Sequence, residues 1–194
     1  DLGSGCGTLG LLLCAEDPGC SVAGIELTDS AHRCALENIR RNGLSDRMES
    51  ICADLRDVAG LFAPGAFHCC VSNPPYFSGG PASQTVPAAR REDCCSPADL
   101  FRSASRMLKY GGDFFLVHRP ERLAELIARA SENGLEAKRL RLVRHRCDGP
   151  VALILLAFRK GGKPGLVLEE ASLHDSLGNP TPYYREVYHT QLSD

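Results

Sequence analysis

A strand that stops on Asn73-Pro74-Pro75-Tyr76 limits what this chain can fold into more than any other feature. The apolar run from Phe67 to Val71 predicts a buried strand. Its ladder cannot continue, because each proline lacks an N–H and has φ fixed at about −65°. The carbonyl groups of Asn73 and Pro74 are therefore held rigidly at the carboxyl end of a strand, where open α/β sheets bind ligands.

The chemical groups of this motif suit a planar amino group. An amide oxygen and a backbone carbonyl can together accept both hydrogens of an –NH2 group, while an aromatic ring stacks on its plane. The pattern favours recognition of an exocyclic amine or a carboxamide. A four-residue motif is weak by itself, and a proline-rich turn with a packing tyrosine explains it equally well.

A glycine-rich turn opens the chain. Gly3, Gly5 and Gly7 let the backbone approach a ligand without side-chain obstruction, and the apolar segment from Thr8 to Glu16 predicts a helix. We expect a strand–turn–helix unit whose strand begins in native sequence before Asp1.

The same turn also fits a dinucleotide-binding fingerprint. Gly5-x-Gly7-x-x-Gly10 is followed by an acid, Glu26, at the spacing of a ribose-binding residue. Asp1 counts against that interpretation, because a carboxylate at the mouth of the turn repels a pyrophosphate. A ligand that carries an ammonium or a sulfonium suits it better, which favours S-adenosylmethionine over NAD.

Two further strands are predicted to end on acids. Ser21 to Glu26 and Met48 to Ala53 predict strands, and a helix ending near Asn42 separates them. The carboxylate of Glu26 can accept both hydroxyls of a ribose. Asp54 is either a turn or helix-cap residue or an acceptor for an adenine amino group, and both interpretations stay open.

A long loop without periodicity, residues 77–93, follows the proline motif. A loop of this length beside a candidate site is either a functional lid or a disordered segment. Arg90 and Arg91 within it either meet phosphate or are solvated charges.

The second half predicts helices and strands in alternation. Ser96-Pro97 starts a helix that ends at Gly111-Gly112, since serine is a good N-cap and proline is favoured at the first helical position. Phe114 to His118 predicts a strand. Another helix opens at Arg119-Pro120 and ends at Asn133-Gly134.

A basic segment from Lys138 to Arg146 predicts a strand, and a short turn joins it to an apolar strand from Val151 to Phe158. So short a turn requires the two strands to be antiparallel. The basic strand is either a solvated sheet edge or an RNA-binding groove. The polar tail contains a short apolar piece, Leu166 to Leu168, and a helix from Tyr183 to His189.

The composition is that of a globular domain whose cysteines are free thiols. Its 194 residues suit a single domain, residues 1–194, which we expect to be truncated at the N-terminus. No run approaches the roughly 18 apolar residues of a membrane span. The net charge of −2 argues against a protein that binds nucleic acid over its whole surface.

The ten cysteines include no C-x-x-C pair and lie mostly in apolar or helical segments. We therefore expect core thiols in a reducing cytoplasm, without disulfides and without a metal site. This expectation covers Cys14, Cys34, Cys52, Cys69 and Cys70.

Together the motifs resemble those of the class I S-adenosylmethionine-dependent methyltransferases that modify amino groups. Asp1-x-Gly3-x-Gly5-x-Gly7, Glu26, Asp54 and Asn73-Pro74-Pro75-Tyr76 fall at the tips of four predicted strands. The resemblance implies an α/β, Rossmann-like fold. Its sheet is mostly parallel and seven-stranded, with one antiparallel strand and helices on both faces.

A closer resemblance is to the bacterial tRNA1(Val) (adenine-N6)-methyltransferases, and it covers nearly the whole chain. It is carried by the segments Asn73-Pro74-Pro75-Tyr76-Phe77, Ala89-Arg90-Arg91-Glu92, and Gly111-Gly112 with Arg119-Pro120-Glu121-Arg122-Leu123. The resemblance implies S-adenosyl-L-methionine as cofactor, tRNA as partner, no membrane, a cytoplasmic location and methylation of the adenine next to the anticodon.

The resemblance also implies roles for individual residues. Asn73 and Pro74 would accept hydrogen bonds from the target amine and Tyr76 would stack on the base, which makes these three catalytic. The implied cofactor-binding residues are Asp1, Gly3, Gly5, Gly7, Glu26, Leu27, Asp54, Leu55 and Asn73. The implied substrate-binding residues are Pro75, Phe77, Arg90 and Arg91.

Other functions use the same motif. A protein methyltransferase acting on a glutamine carboxamide needs the same pair of acceptors, and so does a ribosomal RNA guanine-N2 methyltransferase. A module that binds the cofactor without catalysis is a further alternative.

Overall fold

Strands and helices alternate along the chain, as the apolar periodicity predicts. The computed structural model describes residues 1–74 and 95–189. The strands are β1 (Val22–Glu26), β2 (Met48–Cys52), β3 (Phe67–Ser72), β4 (Leu108–His118), β5 (Leu135–Arg146), β6 (Val151–Lys160) and β7 (Val167–His174). The helices are α1 (Thr8–Glu16), α2 (Asp29–Arg41), α3 (Val58–Leu61), α4 (Pro97–Met107), α5 (Leu123–Glu132) and α6 (Pro182–Tyr188).

The strands form two hydrogen-bonded groups that meet at Leu2. β1 pairs with β2, and the other strands follow the order β3-β4-β6-β5-β7. Leu2 makes a parallel bridge with Ile25 of β1, and its N–H donates to the carbonyl of Val71 in β3 at 2.9 Å. β6 runs antiparallel to both neighbours, while the other strand pairs are parallel. The predicted mostly parallel sheet with one antiparallel strand is confirmed.

Helices cover both faces of the sheet. On one face, Phe101 of α4 packs edge-to-face against Phe114 of β4 and Phe158 of β6, with ring centroids 5.6 and 5.2 Å apart. A smaller cluster on the other face joins Cys14 of α1 and Ile39 of α2 to β1 and β2. No helix in the described part of the chain is long and apolar enough to cross a membrane.

The predicted end of the fourth helix at Gly111-Gly112 is wrong. α4 ends at Met107, and β4 begins immediately at Leu108. A Cβ on Gly112 would lie 2.8 Å from the carbonyl oxygen of His68. Gly112 therefore marks a close approach of β4 to β3, where the register also shifts between Phe67 and Cys69. Gly111 has open space beside it and a φ of 80°, a conformation that favours glycine.

The basic strand is not an edge of the described sheet, because β5 lies between β6 and β7. Arg139 and Arg141 both pair with Glu169 of β7, at 2.8 and 2.7 Å. The tail was expected to hold a short apolar piece and a terminal helix; the structure has the helix as α6, and β7 as a full strand in addition. The parallel ladder with β5 holds β7 in the sheet, and the cross-strand ion pairs add to it. These pairs also neutralise much of the charge that an RNA groove would need.

The expectation of core thiols is only partly correct. Cys14 and Cys70 are buried, whereas Cys34, Cys52 and Cys69 are exposed. Cys34 lies on the outer side of α2, whereas Ala35 and Ile39 form its buried face. The helical period did not predict the exposure of Cys34, because this residue lies beside the apolar stripe of the helix and not within it.

We predict that Gly24→Ala destabilises the fold and distorts the glycine turn. A Cβ at this position would lie 2.8 Å from Oγ and 2.9 Å from Cβ of Ser4, so we expect a loss of about 1–3 kcal/mol in the free energy of unfolding. Urea denaturation measures it. The control is Gly60→Ala in α3, where a Cβ meets nothing within 4 Å and alanine favours the helix. Equal stabilities of the two variants would contradict the prediction.

Candidate functional site

The glycine turn between Leu2 and α1 has two different kinds of glycine. Gly3 and Gly5 have φ of 76° and 55°, and a Cβ on either would meet nothing within 4 Å. Their conformation requires glycine, and the space beside them is open. Gly7 has φ of 85° and precedes α1 as its N-cap, and a Cβ there would lie 3.0 Å from Cε of Met48. Gly7 therefore also serves packing.

Glu26 at the tip of β1 holds the turn in place. Its side chain accepts the N–H of Gly5 through Oε2 and the N–H of Thr28 through Oε1, both at 2.8 Å. The residue is buried, with 7% of its surface exposed. Because each carboxylate oxygen has two acceptor positions, both oxygens can still accept another donor.

The turn lies directly beside the strand that carries Asn73. Ser72 is buried and donates through Oγ to the carbonyl of Leu2 at 2.7 Å. Together with the bond from Leu2 to Val71, this contact places Leu2, the residue before the glycine turn, beside the end of β3 that leads into Asn73. Asn73 itself is exposed and Pro74 is buried. The amide is therefore not turned into the core.

Asp54 follows β2 and caps a short 3-10 turn, Leu55–Asp57. Its Oδ1 accepts the N–H of Arg56 at 2.8 Å, and its carboxylate pairs with the guanidinium of the same residue. These hydrogen bonds from Arg56 lower the pKa of the Asp54 carboxyl, outweighing the opposite effect of burial. Asp54 is thus held in its ionised form.

The tips of β1 and β2 are tied together, so Glu26 and Asp54 lie on one rim. The N–H of Ala53 donates to the carbonyl of Glu26 at 3.0 Å. Leu27 is 46% exposed on this rim. Leu55 is half-buried against the core, and its carbonyl accepts Oγ of Ser103 at 2.8 Å.

The structure brings several predicted site residues to one edge of the sheet. These are Asp1, Gly3, Gly5, Glu26, Asp54, Asn73 and Pro74. Pro75, Tyr76, Phe77, Arg90 and Arg91 lie outside the described residues, and their roles stay predictions. Ser72, Ser103 and Arg56 support the same edge of the sheet and were not predicted. The D-x-R spacing of Asp54 and Arg56 is a local signal that could have indicated the last of these.

The chemistry of this edge fits a cofactor with a cation, a ribose and an amino group. Oδ1 of Asp1 is buried and accepts no hydrogen bond from any described residue, although buried polar atoms are normally paired. A ligand ammonium would satisfy it. Glu26 has acceptor capacity left for hydroxyls, and the space beside Gly3 and Gly5 leaves room for a ligand to approach the backbone.

Comparison with known proteins agrees with this geometry. Residues 1–133 match the family described as methyltransferase small domain. The chain is similar to a tRNA1(Val) (adenine(37)-N6)-methyltransferase from Bacteroides fragilis, with 30% identity over 194 residues that cover 97% of this chain and 81% of the relative.

Solved structures share the fold. A predicted O-methyltransferase from Agrobacterium tumefaciens has a TM-score of 0.80 at 23% identity, covering 97% of this chain and 86% of that one. A geranyl diphosphate C-methyltransferase from Streptomyces coelicolor, in complex with S-adenosyl-L-homocysteine, has a TM-score of 0.61 at 16% identity. That comparison covers 82% of this chain and 69% of the other.

We predict that Glu26→Gln disrupts the rim. The amide nitrogen of glutamine must face one of the two N–H donors, so one hydrogen bond becomes a donor–donor contact. Loss of a buried hydrogen bond costs about 1–3 kcal/mol, and thermal unfolding followed by circular dichroism should show it. The control is Glu49→Gln on the exposed side of β2. Unchanged melting of both variants would show that Glu26 does not hold the turn.

Proposed function

Because this chain belongs to the methyltransferase small domain family and to the tRNA1(Val) (adenine(37)-N6)-methyltransferase family, we propose that it methylates N6 of an adenine in the anticodon loop of tRNA1(Val). It is a methyltransferase that uses S-adenosyl-L-methionine. The observation that carries the proposal is the pairing of Leu2 with Val71 and Ser72, since it sets the glycine turn beside Asn73.

Asn73 and Pro74 would hold the target nitrogen. The amide oxygen of Asn73 and the carbonyl of Pro74 accept the two amino hydrogens of the base. Two acceptors favour positive charge on that nitrogen and draw its lone pair out of conjugation with the ring. Preorganised acceptors of this kind act through electrostatics and positioning, so no general base is needed to begin the transfer.

The rim would hold the cofactor, which when bound supplies a methyl group activated on a sulfonium. Asp1, Gly3 and Gly5 bind its methionine end, and Gly7 supports the turn. Glu26 accepts the ribose hydroxyls. Asp54 accepts the adenine amine, while Leu27 and Leu55 flank the ring. The support for these roles is the single rim that Glu26, Asp54 and the turn share.

The remaining predicted residues would bind the RNA. Tyr76 stacks on the target base, Pro75 and Phe77 flank it, and Arg90 and Arg91 meet phosphates. The base must leave its stack to reach Asn73, which costs little in a single-stranded loop.

We predict that Asn73→Ala separates methyl transfer from cofactor binding. Loss of one positioned acceptor should lower kcat/KM for a tRNA1(Val) transcript by about a hundredfold or more. The affinity for S-adenosyl-L-homocysteine, measured by calorimetry, should stay within about twofold of wild type, because Asn73 is exposed and supports no described contact of the turn. Asn179→Ala, in an exposed turn far along the chain, is the control.

The substrate is tested with labelled S-adenosyl-L-methionine. Wild-type protein should label the tRNA1(Val) transcript but not a transcript in which guanine replaces the target adenine. Asn and Pro acceptors also fit a carboxamide, so a release-factor protein is included as a competing substrate. Labelling of protein alone would replace the proposal with a glutamine methyltransferase. Labelling of the guanine transcript would favour guanine as the target base.

A further inference from the structure

Asp54 is saturated by a residue two positions further along the chain. Its Oδ1 accepts the backbone N–H of Arg56 at 2.8 Å and Nε at 3.0 Å. Its Oδ2 accepts Nε at 2.9 Å and also Nη2. A carboxylate offers about four acceptor positions, and three N–H groups of Arg56 make four contacts with it, since Nε–H is shared between both oxygens.

The local fold produces this arrangement. Asp54 is the N-cap of the 3-10 turn, so its side chain folds back over the N–H of Arg56. A hydrogen bond from the Ser103 hydroxyl of α4 to the carbonyl of Leu55 anchors this turn to the helix. The Arg56 side chain is 49% exposed and that of Asp54 is 17% exposed, so the guanidinium covers the carboxylate from the solvent side.

We propose that Arg56 is a positioning residue that competes with the adenine amine of the cofactor for Asp54, and so sets the affinity at this end of the site. The inference rests on the proposed function, in which Asp54 accepts that amine. To accept it, Asp54 must release at least one hydrogen bond from the guanidinium. The backbone bond to Arg56 can remain, and it keeps the carboxylate aimed at the rim.

Two further titratable groups of the described residues lie near the pair. Asp99 of α4 attracts the guanidinium of Arg56 electrostatically, although its carboxylate already accepts hydrogen bonds from Ser96 and Arg102. Burial raises the pKa of the Cys95 thiol to about 12, so this thiol is neutral at physiological pH. Once released, the guanidinium can therefore stay in solvent near the negative charge of Asp99.

The test is the affinity for S-adenosyl-L-homocysteine in calorimetry, without RNA. Arg56→Gln should bind about two- to fivefold more tightly than wild type, the size expected for removing an exposed ion pair that competes with the ligand. Arg56→Lys, whose ammonium cannot bridge both oxygens in the same way, should be intermediate. Arg129→Gln breaks a comparable exposed pair with Glu132 on α5 and should match wild type. Unchanged or weaker binding by Arg56→Gln overturns the inference.

The dependence of ligand affinity on salt concentration is a second measurement, and a purely structural role of Arg56 would not change it. Raising ionic strength from about 0.05 to about 0.5 M weakens the exposed pair. Wild-type affinity should therefore increase, whereas the affinity of Arg56→Gln should change much less. The same salt response in both proteins would overturn the inference.

A ligand without the amine identifies the atom involved. The analogue of S-adenosylhomocysteine with hydrogen in place of the 6-amino group has no N–H donor at C6 or N1, so it gives Asp54 nothing to accept. The gain from Arg56→Gln should disappear with this ligand, and an equal gain with both ligands would overturn the inference. If wild-type protein binds neither ligand, the proposed function fails as well; if Asp54→Asn binds S-adenosylhomocysteine as tightly as wild type, only the role of Asp54 fails.

Discussion

The main chain around Leu2 is the link on which the site depends, because it is hydrogen-bonded to a strand on each side. The carbonyl of Asp1 accepts the N–H of Ile25 in β1, and the N–H of Gly3 donates to the carbonyl of the same residue. On the other side, the N–H of Leu2 donates to the carbonyl of Val71 in β3. Neighbouring strands lie about 4.8 Å apart, so the glycine turn cannot move away from Asn73 unless the sheet opens. The two halves of the site are thus held by backbone bonds, which resist small displacements better than side-chain packing on a loop.

The strand tips and their caps followed from local patterns in the sequence. Apolar runs that end on Glu26, on Asp54 and on Asn73-Pro74 place these residues on one rim, because parallel strands share their carboxyl edge. At these strand ends, the chemistry of a few neighbouring residues was sufficient to predict the structure. The serine cap and proline of α4 were predicted for the same reason, and Ser96 indeed forms a capping box with Asp99.

The features that sequence patterns missed depend on partners far along the chain. β7 has no apolar alternation, and its pairing relies on Glu169 meeting Arg139 and Arg141, some thirty residues earlier. Gly112 seemed to end a helix, because its contact with His68 is invisible in any short window. Cap chemistry identified Asp54, but the return of the Arg56 side chain onto it depends on a 3-10 turn that α4 stabilises.

The two acids of the rim differ in the source of their hydrogen-bond donors. Glu26 takes its donors from two main-chain N–H groups, which cannot leave, and keeps one acceptor position on each oxygen. Asp54 takes most of its donors from a half-exposed guanidinium. A ligand at this rim would therefore meet a fixed acceptor at one strand tip and an exchangeable one at the next, and only the second acceptor would have to rearrange on binding.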